Sequence, residues 1–153
     1  MQNRARIASF LQACVLFAGF SLLPATAQAE KAVDIGNYVV HYNAFRADTL
    51  PADVARNYGI PRSRNRAMIN IAVVRKDGGT GTPVEAYVRG SATNLNNQLT
   101  VLVPREIKEP GAVYYIDHFR VHNGETLRFN LDIAPEHGAA SFNVEFEQQF
   151  YTR

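Results

Sequence analysis

Cysteine is nearly missing from this chain: the single one, Cys14, falls in an apolar run close to the N-terminus. Beyond it no disulfide, no thiolate metal centre and no cysteine nucleophile can form. Serine chemistry is equally thin. There is no Gly-x-Ser-x-Gly, and after residue 29 only Ser63, Ser91 and Ser141 remain, none at a predicted strand-to-helix elbow. A phosphate loop is also lacking, because the glycines of "KDGGTGT" separate two strand-like runs instead of opening a helix. Internal repeats, low-complexity tracts and linkers are absent from the sequence as well.

Charge of one sign is the next absence. The formal net charge of +2 comes from 16 Lys and Arg against 14 Asp and Glu; 16 less Arg4 and Arg6 leaves 14, so the excess belongs to the N-terminal segment. A balanced remainder gives no reason to expect nucleic acid or an anionic membrane as partner.

That N-terminal segment has the build of a secretory leader. Arg4 and Arg6 form a basic head, residues 7–23 an apolar stretch, and Ala27-Gln28-Ala29 places small residues where a signal peptidase reads. Cleavage is expected after Ala29. A membrane anchor needs about 20 consecutive apolar residues, whereas this stretch is broken by Gln12 and closed by Pro24. Leu11-Gln12-Ala13-Cys14 looks superficially like a lipoprotein box, but Gln12 fits it poorly and the residues after Cys14 are still apolar, so lipidation is not expected. The expected division is a leader over 1–29 and a single domain over 30–153, with no membrane span once the leader is gone. Without disulfides, that domain must rely on its own core, burying roughly two-thirds of its unfolded surface.

What is present is alternation. Leu127, Phe129, Leu131 and Ile133 fall on one side of an extended chain and Arg128, Asn130 and Asp132 on the other, the mark of a half-buried strand. Phe142, Val144, Phe146 and Phe150 repeat it against Ser141, Asn143, Glu145 and Glu147. Further strands are predicted near 36–45, 67–75, 84–93, 98–103 and 112–121. Asp77-Gly78-Gly79, the run from Asn94 to Asn97, Pro110-Gly111 and Asn123-Gly124 supply the turns, and the Asn-Gly pair predicts that the strands on either side of it are antiparallel neighbours. Between the first two strands, Thr49 as cap, Pro51 in the first turn, Asp53 at the positive end and Gly59 as stop predict a turn or two of helix. The fold class is therefore all-β, an antiparallel immunoglobulin- or fibronectin-like sandwich of about seven strands with one short helix; a small barrel has the same signature.

Candidate sites follow from the remaining polar residues. Of the histidines, His118 and His122 on an extended strand would lie ~13 Å apart and cannot share an ion; His41 with Asp117 and His118 on adjacent strands is the possible metal set. Glu145 and Glu147, ~7 Å apart on one strand face, read as a solvated stripe rather than a hydrolytic pair. Arg62, Arg64 and Arg66 stand at every second position around Ser63 and Asn65. If extended, they would project to one side and fork to carboxylates or phosphates; otherwise they pair with Asp48, Asp53 and backbone carbonyls and fasten the helical connection. Tyr38, Tyr42, Phe45 and Tyr58 cluster in the same region.

"YVVHYNAF", "YGIPRSRNRAMINIAVV" and "REIKEPGAVYYIDHFRV" ahead of "ETLRFNLDI" resemble a family of small exported proteins of Gram-negative bacteria, domain-of-unknown-function family 4426. The resemblance covers nearly all of residues 36–151. Its signature segments correspond to His41-Tyr42-Asn43-Ala44-Phe45, Arg62-Ser63-Arg64-Asn65-Arg66 and Tyr114-Tyr115. It implies a periplasmic all-β domain and supplies no catalytic residue, ligand or cofactor.

Three functions are compatible with these residues. The first is a non-enzymatic module binding a periplasmic protein or envelope component through a face bearing Tyr42, Phe45, Arg62, Arg64, Asn65 and Arg66. The second is a metal- or small-molecule-dependent enzyme using His41, Asp117 and His118. The third is an accessory subunit lending an edge strand to a partner, with the Phe-rich run of residues 141–150 as that edge. No cofactor is expected.

Overall fold

A computed structural model describes residues 31–135 and 140–153; the expected leader and His137 lie outside them. Among the described residues ten strands form: β1 (Lys31–Ile35), β2 (Tyr38–Arg46), β3 (Arg66–Arg75), β4 (Thr82–Pro83), β5 (Ala86–Asn94), β6 (Leu99–Leu102), β7 (Arg105–Glu109), β8 (Ala112–Arg120), β9 (Glu125–Pro135) and β10 (Phe142–Phe150). They pair antiparallel into two sheets, one ordered β1-β2-β3-β8-β7 with β4 on β3, the other β10-β9-β5-β6. The architecture is a sandwich and not a barrel, as two separate sheets require. The seven expected strands all form; β1, β4 and β7 are additional, and β7 escapes notice because Arg105, Glu106, Lys108 and Glu109 hide its alternation.

The core lies between the sheets because period two sends every second side chain there. Val40 and Ala44 of β2, Ile69, Ile71 and Val73 of β3, and Tyr115 and Phe119 of β8 meet Val88, Leu102, Phe129, Leu131, Ile133, Val144 and Phe146 of the other sheet. Phe129 and Phe146 stack at 4.6 Å between centroids, nearly parallel at 7°. Gly90 is required where β5 approaches β9: a Cβ there would stand 2.6 Å from the Asn130 carbonyl oxygen and 2.6 Å from a Leu131 methyl.

The Asn123-Gly124 turn overturns the hairpin expectation. The strands it joins, β8 and β9, belong to different sheets. Buried Val121 donates its N–H to the Asn65 carbonyl at 3.0 Å, holding the end of β8 in the first sheet, while Gly124 donates to the Phe150 carbonyl at 2.8 Å, drawing β9 into the second. Phe119 and Phe129 therefore face each other across the core, 5.6 Å apart, instead of lying side by side. By contrast, the turns at Asn94 to Asn97 and at Pro110-Gly111 do close hairpins, β5–β6 and β7–β8.

The helical connection is a 3-10 turn at Ala47–Thr49 followed by α1 (Ala52–Asn57). Thr49 is not the cap: its hydroxyl donates back to the Arg46 carbonyl at 2.7 Å, and Pro51 occupies the cap position with no side-chain bond to the helix. The stop is as expected. Gly59, at φ +62°, lets its N–H reach the Arg56 carbonyl and that of Ile60 reach Ala55, closing two orphan carbonyls at once. Ala47, Ala55 and Ile60, with Leu50 and Tyr58, then pack on Phe45, Met68, Tyr114 and Ile116. The connection thus covers the outer face of the first sheet with a second apolar cluster.

Candidate functional site

The chain leaves α1 at Gly59 and re-enters the sheet at Arg66, so Arg62, Arg64 and Arg66 all lie at the rim where the helical layer meets β3. They do not form an extended row. Arg66 donates its N–H to the Ser63 carbonyl at 3.2 Å, making Arg64 and Asn65 the corner of a turn that parts Arg66 from Arg62 and Arg64. Asn65 serves through its backbone: its carbonyl takes the Val121 N–H, and its own N–H donates to Ser63 Oγ at 3.2 Å.

Asp48 is the hub of this rim. Its carboxylate receives Arg46 at two points, Nε to Oδ1 at 3.0 Å and Nη2 to Oδ2 at 3.2 Å. Arg64 Nε lies 4.0 Å from the same Oδ2, and Arg62 Nη2 donates to the Asp48 carbonyl at 2.9 Å. Arg66 turns away to the His118 ring, 3.3 Å from Nδ1, and faces Arg120 across the β3–β8 pair. Asp53 forms no ion pair with any of the three among the described residues. The carboxylate thus serves two arginines and the backbone carbonyl of the same residue a third, and Arg64, 72% exposed, holds the longest and weakest of these contacts.

Tyr42 and Phe45 do not share a face. Three residues apart on a strand, they point to opposite sides: Tyr42 packs its ring 4.5 Å from Phe146 inside the sandwich, whereas Phe45 lies under the helical layer with the outer cluster. Only Phe45 is on the arginine side. Beside it a hollow of about 470 Å³ opens, lined by Phe45, Arg46, Thr49, Gln148, Gln149 and Tyr151.

The proposed metal set is not brought together. His41 pairs with Ala72 and His118 with Met68, on either side of β3. Two strand spacings across and four residues along place their backbones roughly 16 Å apart. Asp117 points to the face opposite His118, and its carboxylate is already engaged, accepting the Val103 N–H at 2.8 Å and the His118 N–H at 2.7 Å. Among the described residues no group of three His, Cys, Asp or Glu could hold a metal ion. Glu145 and Glu147 bind Asn130 at 2.7 Å and Arg128 at 3.0 Å on the outward face of β10.

One polar cluster has no counterpart in the sequence patterns. The Tyr115 hydroxyl accepts the Ala86 N–H at 2.6 Å and donates to Glu106 Oε2 at 2.8 Å, bridging the two sheets. Lys108 closes the group, 2.6 Å from Glu85 and 3.1 Å from Glu106. Burial, with Glu106 beside it, pushes the Tyr115 phenol up to about 12, while its hydrogen bond holds the Glu106 carboxyl below the ordinary carboxylate range. Tyr115 was noticeable only as half of Tyr114-Tyr115; its partners lie 29 and 9 residues away and nothing local announces them.

The family model of Domain of unknown function (DUF4426) matches residues 32–153, the whole sandwich. The chain belongs to the DUF4426 family. A solved DUF4426 protein from Pseudomonas aeruginosa PAO1 is similar at 31% identity and TM-score 0.70, over 82% of this chain and 97% of that one. FetP of uropathogenic Escherichia coli strain F11 shares the fold at 10% identity. A copper-bound variant gives a TM-score of 0.56 over 80% of this chain and 95% of that one, and the protein as isolated after periplasmic expression gives 0.58 over 80% and 94%. At that identity the likeness concerns the fold alone. No curated protein matches the chain. Among the described residues no helix is long and apolar enough to cross a membrane.

Proposed function

We propose that this DUF4426 domain is a non-enzymatic binding module of the periplasm, exported behind the segment 1–29, and that it docks an anionic protein or envelope component at the rim of Arg62, Arg64 and Arg66. The observation that carries this reading is the shortage of acid there: the Asp48 carboxylate is divided between Arg46 and Arg64, Arg62 reaches only its backbone carbonyl, and Arg64 is largely open to water. Guanidinium groups left with unused donors suit carboxylate or phosphate oxygens. Phe45 and the hollow beside Arg46 would add an apolar shoulder for the same partner.

The test is capture of partners from periplasmic extract by wild-type protein and by two variants, Arg64→Glu and the triple alanine replacement of Arg62, Arg64 and Arg66. Arg64→Glu touches only an exposed side chain, so it keeps the melting temperature while capture falls at least tenfold. Wild-type capture weakens as salt rises from 50 to 300 mM, as expected for charge contacts between exposed groups. Undiminished capture by a folded Arg64→Glu protein rules the rim out. Unfolding of the triple variant, with Arg64→Glu inert, assigns these arginines to fastening the helical layer.

A further inference from the structure

Apart from the two-residue β4 beside β3, four strands end the two sheets, and three of them carry charge. β7 has Arg105, Glu106, Lys108 and Glu109, β1 has Lys31 and Asp34, and β10 has Glu145 and Glu147. On β10 the Lys31 ammonium also donates to the Glu147 carbonyl at 3.2 Å, occupying part of the edge. Such charges keep open edges from pairing with other chains. β6 has none. Its outward side chains are instead Leu99 and Val101, followed by Val103, which are 61%, 67% and 71% exposed; Leu95 on the adjoining turn is 78% exposed.

The hydrogen-bond phase of β6 shows what remains unused. Asn94 donates its N–H to the Gln98 carbonyl at 3.1 Å, so positions 98, 100 and 102 bond inward to β5 and the peptide groups of Leu99 and Val101 point away from the sheet. Val103 would be next, but its N–H is taken by Asp117 Oδ2 at 2.8 Å. Asp117 thereby limits the open edge to two residues.

We infer that two copies of this domain associate through β6, antiparallel, about a two-fold axis at Thr100. In that register Leu99 of each copy lies opposite Val101 of the other, and their outward N–H and C=O groups form four backbone hydrogen bonds. All four apolar side chains fall on one face, as period two demands. Next to them lie Thr93 and Ser91 of β5, then Arg128 and Asn130 of β9, giving an apolar centre with a polar margin. A second copy is the occupant the register favours: the two open positions, Leu99 and Val101, lie symmetrically about Thr100, so the edge is its own complement and meets its image with no charge in the strand, whereas β10 against itself would set Glu145 opposite Glu147. The contact is short, at the low end of interface sizes, so the dimer is weak and concentration-dependent.

Sedimentation velocity on the exported protein between 5 and 500 µM tests this. The wild type shifts from monomer toward dimer across that range, and Val101→Lys, which alters an exposed side chain, stays monomeric at every concentration with an unchanged melting temperature. Geometry is checked by Thr100→Cys in the exported protein, which has no other cysteine once residues 1–29 are removed: the two cysteines face each other at a non-hydrogen-bonded position ~4.5 Å apart, within disulfide reach, and mild oxidation links it as a dimer. A wild type monomeric at 500 µM, or a dimer that survives Val101→Lys, overturns the inference. So does a monomeric wild type whose capture of a foreign chain is lost in Val101→Lys, which would give the edge to another partner. None of these results depends on Arg64, so the arginine reading stands or falls separately.

Discussion

The first sheet is a wall with two apolar faces, and they are built differently. Its inner face meets another sheet, through long-range rows of Val, Ile and Phe closed by the stacked pair Phe129 and Phe146. Its outer face meets one short helix and a 3-10 turn, through Phe45, Met68 and Ile116, and ends at a polar rim held by Asp48 and the arginines. The inner face is continuous and buried, so it sets stability. The outer one is small and bordered by water, so loss there is cheap and variation is tolerated. That difference explains why the candidate recognition residues sit where the helical layer stops and not in the body of the sandwich.

The contrast is most easily broken by truncation. Phe129→Ala opens a cavity at the centre of the inner core and is expected to cost about 3–5 kcal/mol, whereas Met68→Ala in the outer cluster falls nearer the low end of the core range, about 2 kcal/mol. Urea denaturation of both variants measures the difference. Equal losses would mean that the helical layer is as much a core as the sandwich interior.

A pH series sharpens it next, because Tyr115 lies on the inner face. Its folded pKa of about 12 stands above the ordinary 10.0, so the folded state holds its proton more tightly than the unfolded chain does. That stabilisation is complete below pH 10 and is lost as the pH climbs from 10 toward 12. The urea midpoint should therefore fall more steeply over that interval in the wild type than in Tyr115→Phe, and parallel slopes would show that the phenol is not held this way.

The smallest effect belongs to the rim. Asp48→Ala removes a partly exposed acceptor shared by Arg46 and Arg64 and should cost about 1 kcal/mol. It also leaves the arginines with more unspent donors. Capture of an anionic partner is expected to strengthen in this variant even as its melting temperature drops, a pair of changes that a purely fastening role would not produce.

Much of this was readable in the residues. The alternation of β9 and β10 predicts their inward Phe and Leu, and Gly59 marks the end of α1. The expected fold class and the resemblance to family 4426 both hold. Parity also separates Tyr42 from Phe45, although their closeness in sequence suggested one face. The extended arginine row failed because a turn at Arg64 and Asn65 leaves no trace in spacing alone. The expected edge strand, β10, is an edge, but β6 is the one without charge among the edges longer than two residues, a distinction that needs the order of strands in the sheet.

Side-chain direction along a strand depends on the residues themselves, because the pleat turns every second Cβ to the same side; the amino-acid order therefore determined an all-β chain with an inward apolar set. Which strands become neighbours depends on contacts between residues far apart in the chain. Only the tertiary structure could send β8 and β9 to different sheets, separate His41 from His118, gather three arginines around Asp48 and leave β6 uncovered, because each of those outcomes is a distance in space that no local pattern encodes.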